Sequence, residues 1–364
     1  MADIATSITE FQPGRDDQEV LELRGEVWGK DHPHTDKAFY AWLFGDTSHG
    51  PSSGILVRRD GKLVCFAGLV PRVVRFKGAI VRVAHGLEFM ASPNLQGLSG
   101  LYAFKLVKAW LDHASRTGYD LAVCFPNEQS IRLLTSDKLK WAVMASPRLL
   151  VLPTPSFHIE ESPVRFLPKS LATIGGRFLA AVLLAVQSRP RAGDGVATLD
   201  LSADAEALDA LWQRAGHGKC QFSRQAKVMQ WRYGRHPVYE YQILSRRRDG
   251  VMSGFIVTVR RKVLGLESDL VVDGLWDLDD METPRALLAA VAARARRART
   301  GIVGAIALPD TPFHAALRRA GLLPVPAKLD PKPFHLTGYP LTSAGENCMD
   351  TKTWHMSWGD TDVV

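Results

Sequence analysis

Residues 83 to 101 read VAHGLEFMASPNLQGLSGL, and within them stand the side chains best suited to move a proton. Glu88 and His85 lie on what reads as an apolar strand. A carboxyl group is out of place there unless it is used, as a base or in a salt bridge at the rim, because charged groups are seldom buried without a partner. Glu88 is the stronger candidate base, and His85 reads as a hydrogen-bonded structural histidine. Residues three apart on a strand point to opposite faces, so the two are not expected to act as a pair or to share a metal.

The second chemical feature is the loop itself. An apolar strand runs into a Pro/Gly/Ser-rich stretch, and this opens directly into the helix-like LYAFKLVKAWLDHASRTG. Free backbone N–H groups and the positive end of a helix dipole converge at such a junction, which suits a phosphate. An ordinary strand-to-helix connection is the alternative, since a short glycine pattern alone is weak.

Composition bounds what these residues can belong to. At 364 residues, with 46% hydrophobic and 23% charged residues, the chain is globular and long enough for two domains. Four cysteines, Cys65, Cys124, Cys220 and Cys348, are scattered without a CxxC pair, so neither a disulfide framework nor a metal site is expected. Reduced thiols and the absence of a basic, then apolar, leader predict a cytoplasmic protein. No apolar run approaches the ~20 residues of a membrane span. The net charge of +7 suits an anionic ligand, yet much of it sits in runs such as Arg246 to Arg248 and Arg294 to Arg299 that read as solvated faces, and a nucleic-acid partner is not expected.

The elements that must position the loop follow in order. Helices are expected over 17 to 28 and 36 to 44, then a meander of strands from Gly54, turned at Asp60-Gly61 and Lys77-Gly78. Leu101, Phe104, Val107, Leu111 and Ala114 recur at helical spacing up to Gly118. A short strand over 119 to 125, a helix from an Asn127 cap through Leu139, and a strand around 143 to 152 close the unit. A Pro-rich linker follows, holding an apolar helix over 170 to 187 that reads as buried.

After it the pattern returns. Asp60-Gly61 recurs as Asp249-Gly250 and Trp42 as Trp231, both 189 residues on, while Thr117-Gly118 with Pro126 recurs as Thr300-Gly301 with Pro309, 183 on. A slow drift in one direction is what a duplicated unit with small deletions leaves. The expected domains are residues 1–153, a linker over 154–200, and 201–364. In the second copy the glycine loop is replaced by GLWDLDDMETP, whose Asp277, Asp279, Asp280 and Glu282 would repel a pyrophosphate. A long helix over 284 to 299 should follow it, acidic at its start and basic at its end.

On these residues the first half, Gly54 to Leu152, resembles the GNAT superfamily of acyl-CoA-dependent acyltransferases. That family wraps a coenzyme A pyrophosphate in a Q/R-x-x-G-x-G/A loop. Gln96 fits its first position, whereas Ser99 and Leu101 stand where small glycine-like residues are usual. PNEQSIRLLTSDKLKW resembles the family's later helix through Asn127 and Ser130. The resemblance implies an α+β fold of tandem GNAT-like units, each a mixed, mostly antiparallel sheet flanked by helices. It implies acetyl-CoA or another acyl-CoA as cosubstrate, held by Gln96, Gly97, Leu98, Ser99, Gly100, Leu101, Asn127 and Ser130, with its pantetheine arm along Phe89, Met90 and Ala91. The tyrosine that many members use as general acid is missing from 127 to 140.

The second copy should then shape the acceptor site. Trp231, Arg232 and Tyr233 in VMQWRYGRHPVYEY are candidate substrate residues, since aromatics mixed with arginine suit sugars or peptides; a domain-interface core is the alternative. Segments FYAWLFGD, WRYGRHP and the GDTDV ending are similar to tandem GNAT-like proteins of bacterial surface-polysaccharide synthesis. Three functions are consistent with the sequence. The first is acyl transfer from coenzyme A or an acyl carrier protein to a small amine, such as an amino sugar or cell-envelope precursor. The others are a FemX-like transferase using aminoacyl-tRNA and a non-catalytic GNAT-like binding protein.

Overall fold

The computed structural model of the protein describes residues 5–95, 97–158, 173–176, 195–215, 220–263, 266–277, 279–326 and 334–361. The apolar helix expected over 170 to 187 lies outside the described residues apart from 173–176, which are helical. The chain divides into two compact units. One comprises Met1–Ala145, Arg235–Val238 and Phe334–Thr351; the other comprises Ser146–Gly234, Tyr239–Pro333 and Lys352–Val364.

The main strands, in chain order, are β1 (Thr6–Glu10), β2 (Ser53–Arg59), β3 (Lys62–Phe76), β4 (Ala79–Ala91), β5 (Leu121–Cys124), β6 (Ala142–Ala145), β7 (Arg148–Pro153), β8 (Val196–Thr198), β9 (Tyr241–Arg248), β10 (Val251–Val263), β11 (Leu266–Trp276), β12 (Ile302–Ala307), β13 (Leu323–Pro324) and β14 (Leu336–Pro340). Where one strand over 143 to 152 is expected, the chain makes two, β6 and β7, and they belong to different sheets. The first unit's sheet has the order β1-β2-β3-β4-β5-β14-β6, and the second unit's has β8-β9-β10-β11-β12-β7-β13. Along these orders each is antiparallel except at one join, β4 with β5 and β11 with β12.

Local sequence explains the meanders. Asp60-Gly61, Lys77-Gly78 and Asp249-Gly250 all carry positive φ at both residues, the left-handed pair that a two-residue hairpin requires. The long strands between them are rich in Val, Leu and Ile, and β3 is buried along nearly its whole length because helices cover both faces.

In the first unit, α1 (Asp17–Trp28) and α2 (Lys37–Phe44) cover one face of the sheet and α3 (Ser99–Arg116) the other, with α4 (Glu128–Leu134) after β5. The expected stripe on α3 is turned by about one residue. Tyr102, Leu106, Val107, Trp110 and Ala114 are the buried positions, packed on Ile55, Val57, Cys65, Ala67, Leu69 and Ala84, while Leu101 faces solvent. Trp110 decides the rotation: its Nε1 donates to the Gly68 carbonyl at 3.1 Å from a wholly buried ring. On the opposite side of Gly68 the Phe44 ring fills the space a Cβ would need, 2.3 Å from its Cε1. Helix α4 stops at Leu134, short of the expected Leu139, and its Asn127 caps it, accepting from the amides of Gln129 and Ser130. All four cysteines are buried thiols outside any disulfide.

The second unit has α5 (Ala205–Ala215), α6 (Glu282–Arg297) and α7 (Pro312–Arg319). Its centre is polar. Arg224 is buried and donates to Asp273 Oδ1 at 2.8 Å and to Asp360 Oδ2 at 2.8 Å; Tyr233 Oη donates to Asp273 Oδ2 at 2.8 Å, and Ser357 Oγ to Asp273 Oδ1 at 3.1 Å. Burial alone would lower the guanidinium's pKa, but Asp273 and Asp360 outweigh it and raise it. This cluster pins the segment Ser357–Asp360 onto β11. Removing the guanidinium that bridges them would strand two buried carboxylates, so Arg224→Met is expected to destabilise the protein by about 3–5 kcal/mol in a urea titration. A loss under about 1 kcal/mol would show that the network is dispensable.

Candidate functional site

The strand-loop-helix junction at 89 to 101 forms in the first unit. After β4, Pro93–Leu95 makes a single 3₁₀ turn, tied down from α1: Glu26 accepts from Ser92 Oγ at 2.8 Å and from Lys62 Nζ at 2.8 Å. Lys62 first, then Ser92, hold the Glu26 carboxyl below the usual carboxylate range. Gly97 has φ +78°, which turns the chain into α3, and Gln96 lies outside the described residues. Helix α3 begins without a capping side chain at Leu98, and nothing stands within 4 Å of where a Cβ on Gly97 or Gly100 would sit. Leu98 and Leu101 are exposed beside them, Leu101 at 52%. The result is an 18-residue helix whose N-terminus is sterically open and, among the described residues, bare of a capping side chain.

Beside it, the sheet opens. β4 pairs with β5 only at Val83, Ala84 and His85, and β5 ends at Cys124. From Gly86 to Ala91 the β5-side edge of β4 therefore has no strand partner among the described residues. That edge leads straight to the bare helix end. Phe89 and Met90 themselves turn inward, Phe89 against the Trp110 ring at 5.5 Å.

Glu88 sits at an interruption that the sequence does not announce. Leu87 pairs with Gly68 and Met90 with Phe66, so Glu88 and Phe89 together face Ala67 in a β-bulge. Glu88 has φ +53°, a left-handed conformation unusual for a side chain of this size. The bulge overturns the expected alternation. His85 and Leu87 point to the α1/α2 face, and Glu88 reaches that same face, where its Oε1 accepts from Arg24 Nη2 at 2.7 Å. His85 is buried with its ring edge-on to Phe125 at 5.7 Å.

Around the pair is an aromatic wall built by α1, α2 and the turn between them. The Arg24 guanidinium lies 5.7 Å from the Trp28 ring centre, 5.9 Å from Phe39 and 5.1 Å from Tyr40. Trp28 meets His34 at 4.9 Å, His34 meets Phe39 at 5.3 Å, and His236, which belongs to this unit, packs on Trp42 at 4.4 Å. Arg24 is fully buried and Glu88 is 4% exposed, yet Arg24 Nε and Nη1 and Glu88 Oε2 make no hydrogen bond among the described residues. Burial lowers the Arg24 pKa and Glu88 works against that. These partners escaped the sequence reading, although one signal was present: Val20, Leu23 and Arg24 share a helical face, so Arg24 interrupts an apolar stripe.

The other proposed residues fall as follows. The Asn127 carboxamide is engaged as the α4 cap, and Ser130 is half-buried on that helix. Trp231, Arg232 and Tyr233 lie in the second unit with their side chains in its core; Arg232 donates to the Thr361 carbonyl and Tyr233 to Asp273. The acidic loop of that unit closes its helix end. Asp280 Oδ1 accepts from the amides of Glu282 at 3.1 Å and Thr283 at 3.0 Å, occupying the groups that α3 leaves bare. Burial would raise the Asp280 carboxyl, but its bonds from Thr283 win and hold it below the usual range. An open groove of about 580 Å³ in the first unit runs along β1 and the C-terminal half of α3, lined by residues such as Ile8, Ile55 and Arg116, at the other end of that helix from the loop. Among the described residues no cluster of His, Cys, Asp and Glu could hold a metal, and no helix is long and apolar enough to cross a membrane.

No family model matches the chain, and no curated protein matches it. Solved structures do. A conserved protein of unknown function from Enterococcus faecalis superposes with a TM-score of 0.62 at 10% identity, over 93% of this chain and 73% of that one. A GCN5-related N-acetyltransferase from Anabaena variabilis gives 0.61 at 11% identity, over 93% and 73%. The N-myristoyltransferase of Saccharomyces cerevisiae, solved with bound myristoyl-CoA, gives 0.57 at 12% identity, over 92% and 78%. At such identities the likeness is one of fold, and the fold is that of the GCN5-related N-acyltransferases: α+β, with mixed, mostly antiparallel sheets flanked by helices.

Proposed function

We propose that the protein transfers an acyl group from a coenzyme A thioester to an amine, with one donor site, in the first unit. The bare N-terminus of α3 beside the unpaired edge of β4 carries this reading. Backbone amides of Ser99, Gly100 and Leu101 would take the pyrophosphate, with Gly97 and Gly100 leaving room for it. The open edge of Phe89 to Ala91 would pair with the amides of the pantetheine arm as another strand does. Backbone N–H groups there also suit the oxyanion that forms as the thioester is attacked. Asp280 argues that the second unit binds no such ligand, because its carboxylate already uses the equivalent amides.

The acceptor we assign to amino sugars or other cell-envelope precursors, on the resemblance of FYAWLFGD, WRYGRHP and the GDTDV ending alone, and an acyl carrier protein is an alternative donor by the same chemistry. A FemX-like reading would instead require tRNA binding that weakens steeply with salt.

Isothermal titration with acetyl-CoA tests the donor site. Binding with Kd of order 10 μM, roughly −7 kcal/mol, is expected, and heatless titration of the folded protein by acetyl-CoA and longer acyl-CoAs would sink the reading. A second measurement locates the site. In Gly100→Glu an acid at the helix start favours the helix, so the melting temperature should hold or rise. The same carboxylate competes with the pyrophosphate, and affinity for acetyl-CoA should fall by at least about tenfold, or 1.4 kcal/mol. Unchanged affinity would move the donor elsewhere.

A further inference from the structure

Glu88 is the acid nearest the open edge of β4, but its carboxylate is 4% exposed and its Oε1 is held by Arg24, so it is poorly placed to meet an amine itself. His34, on the turn between α1 and α2, is placed differently. Its Nδ1 is buried and stands 3.6 Å from Glu88 Oε1, while the ring as a whole is 32% exposed. The exposed part is therefore the far edge, which carries Nε2. Three rings fix that orientation: Trp28 at 4.9 Å, His32 stacked at 5.1 Å and Phe39 at 5.3 Å.

We propose that His34 is the general base of the acyl transfer, and that Glu88 and Arg24 are positioning residues that orient its ring. The inference rests on the acyl-transfer reading above and adds the group that performs its proton step. A carboxylate facing Nδ1 favours the tautomer with the proton on Nδ1, and this leaves the Nε2 lone pair directed outward. The separation of 3.6 Å is longer than a hydrogen bond, as such contacts often are before substrate closes them. Arg24 fixes Glu88 from beneath, and the oxygen it holds, Oε1, is the one that faces His34 Nδ1.

The charged groups around His34 are few and of known sign. Glu88 faces it from β4, Arg24 holds that carboxylate from α1, and His32 stacks on it from the same turn. Burial, then the charges of His34 and Arg24, hold His32 below the usual imidazole range. Asp36 is engaged as the cap of α2, accepting from the Phe39 amide at 2.8 Å.

The step balances. An ammonium acceptor gives one proton to His34 Nε2; its nitrogen then attacks the thioester carbonyl, forming C–N and breaking C–S. The departing thiolate takes the second proton from nitrogen, giving amide and free thiol, and His34 releases its proton through its exposed edge. No oxidant, reductant or metal enters.

The test compares two small amines with acetyl-CoA near neutral pH in the full chain. Ethanolamine is protonated there and needs a base; hydroxylamine is largely neutral and does not. In His34→Gln, kcat/KM for ethanolamine should fall by about 100-fold while hydroxylamine turnover changes little. Equal loss with both amines would mean a structural role and overturn the proposal, as would no loss with either. A wild-type protein that binds acetyl-CoA yet consumes neither amine would also overturn it, since a base poised at the thioester acts on any amine small enough to enter. Failure to bind acetyl-CoA at all is a separate result and sinks the acyl-transfer reading beneath it.

Discussion

The buried contact between Arg24 and Glu88 is the constraint on which the first unit's site depends. Taking both charges from water costs several kcal/mol per ion, and the left-handed backbone at Glu88 adds roughly 1–2 kcal/mol more. Neither would persist without the other. The 2.7 Å bond from Arg24 draws the Glu88 side chain toward α1, and this demands the extra residue that makes the bulge. Once the strand has bulged, Phe89 swings back against Trp110 on the α3 face. One ion pair thus sets the direction of the acid, the packing of α3 and the course of the strand end that leads to the loop.

The second unit repeats the device with the opposite outcome. β11 carries its own irregularity at the matching place, where Val257 pairs with Asp273 and Thr258 with Val271, and Asp273 is again buried against an arginine, Arg224. There, however, Ser357–Asp360 lies over the strand, and a Cβ on Gly359 would stand 3.1 Å from the Val272 carbonyl. The helix that follows is capped by Asp280. The same strand order is therefore left open in one unit and filled with its own side chains and tail in the other. Charge explains the choice: Asp277, Asp279 and Asp280 serve a helix start well and an anionic ligand badly.

What the sequence disclosed follows from how local each feature is. Type I′ turns depend on two residues, and Asp60-Gly61, Lys77-Gly78 and Asp249-Gly250 were legible at once. So were helix α1 and the glycine loop, whose open geometry follows from Gly97 and Gly100. The bulge was not legible, because its cause, Arg24, lies 64 residues before Glu88. Strict alternation then placed His85 and Glu88 on opposite faces, and a long-range ion pair reversed that. His34 escaped for a related reason: among aromatic residues on a short turn, a histidine acquires meaning only when a carboxylate arrives from another element. Trp231 and Tyr233 show the converse, since residue types suited to ligand stacking are equally suited to a core, and burial alone separates the two uses.

Strand exchange also sets how the chain must fold. The sixth strand of the first unit's sheet, β14, comes from the far end of the sequence, and the sixth strand of the second unit's sheet, β7, is made before that unit's other strands. β14 lies between β5 and β6, with its Thr337 Oγ1 donating to the Cys124 carbonyl at 3.1 Å, so without it β5 and β6 would have no common partner. β7 joins β12 to β13 in the same way. A chain cut in its middle would leave β5 and β12 each with an unpaired edge on the side away from the parallel join, the kind of edge that invites aggregation. Pairing across some 200 residues is slow to form, because the loop-closure entropy comes before the contacts that offset it. The site in the first unit is complete only after that late strand has docked, since β14 secures β5, and the gap between β4 and β5 is where the open edge begins.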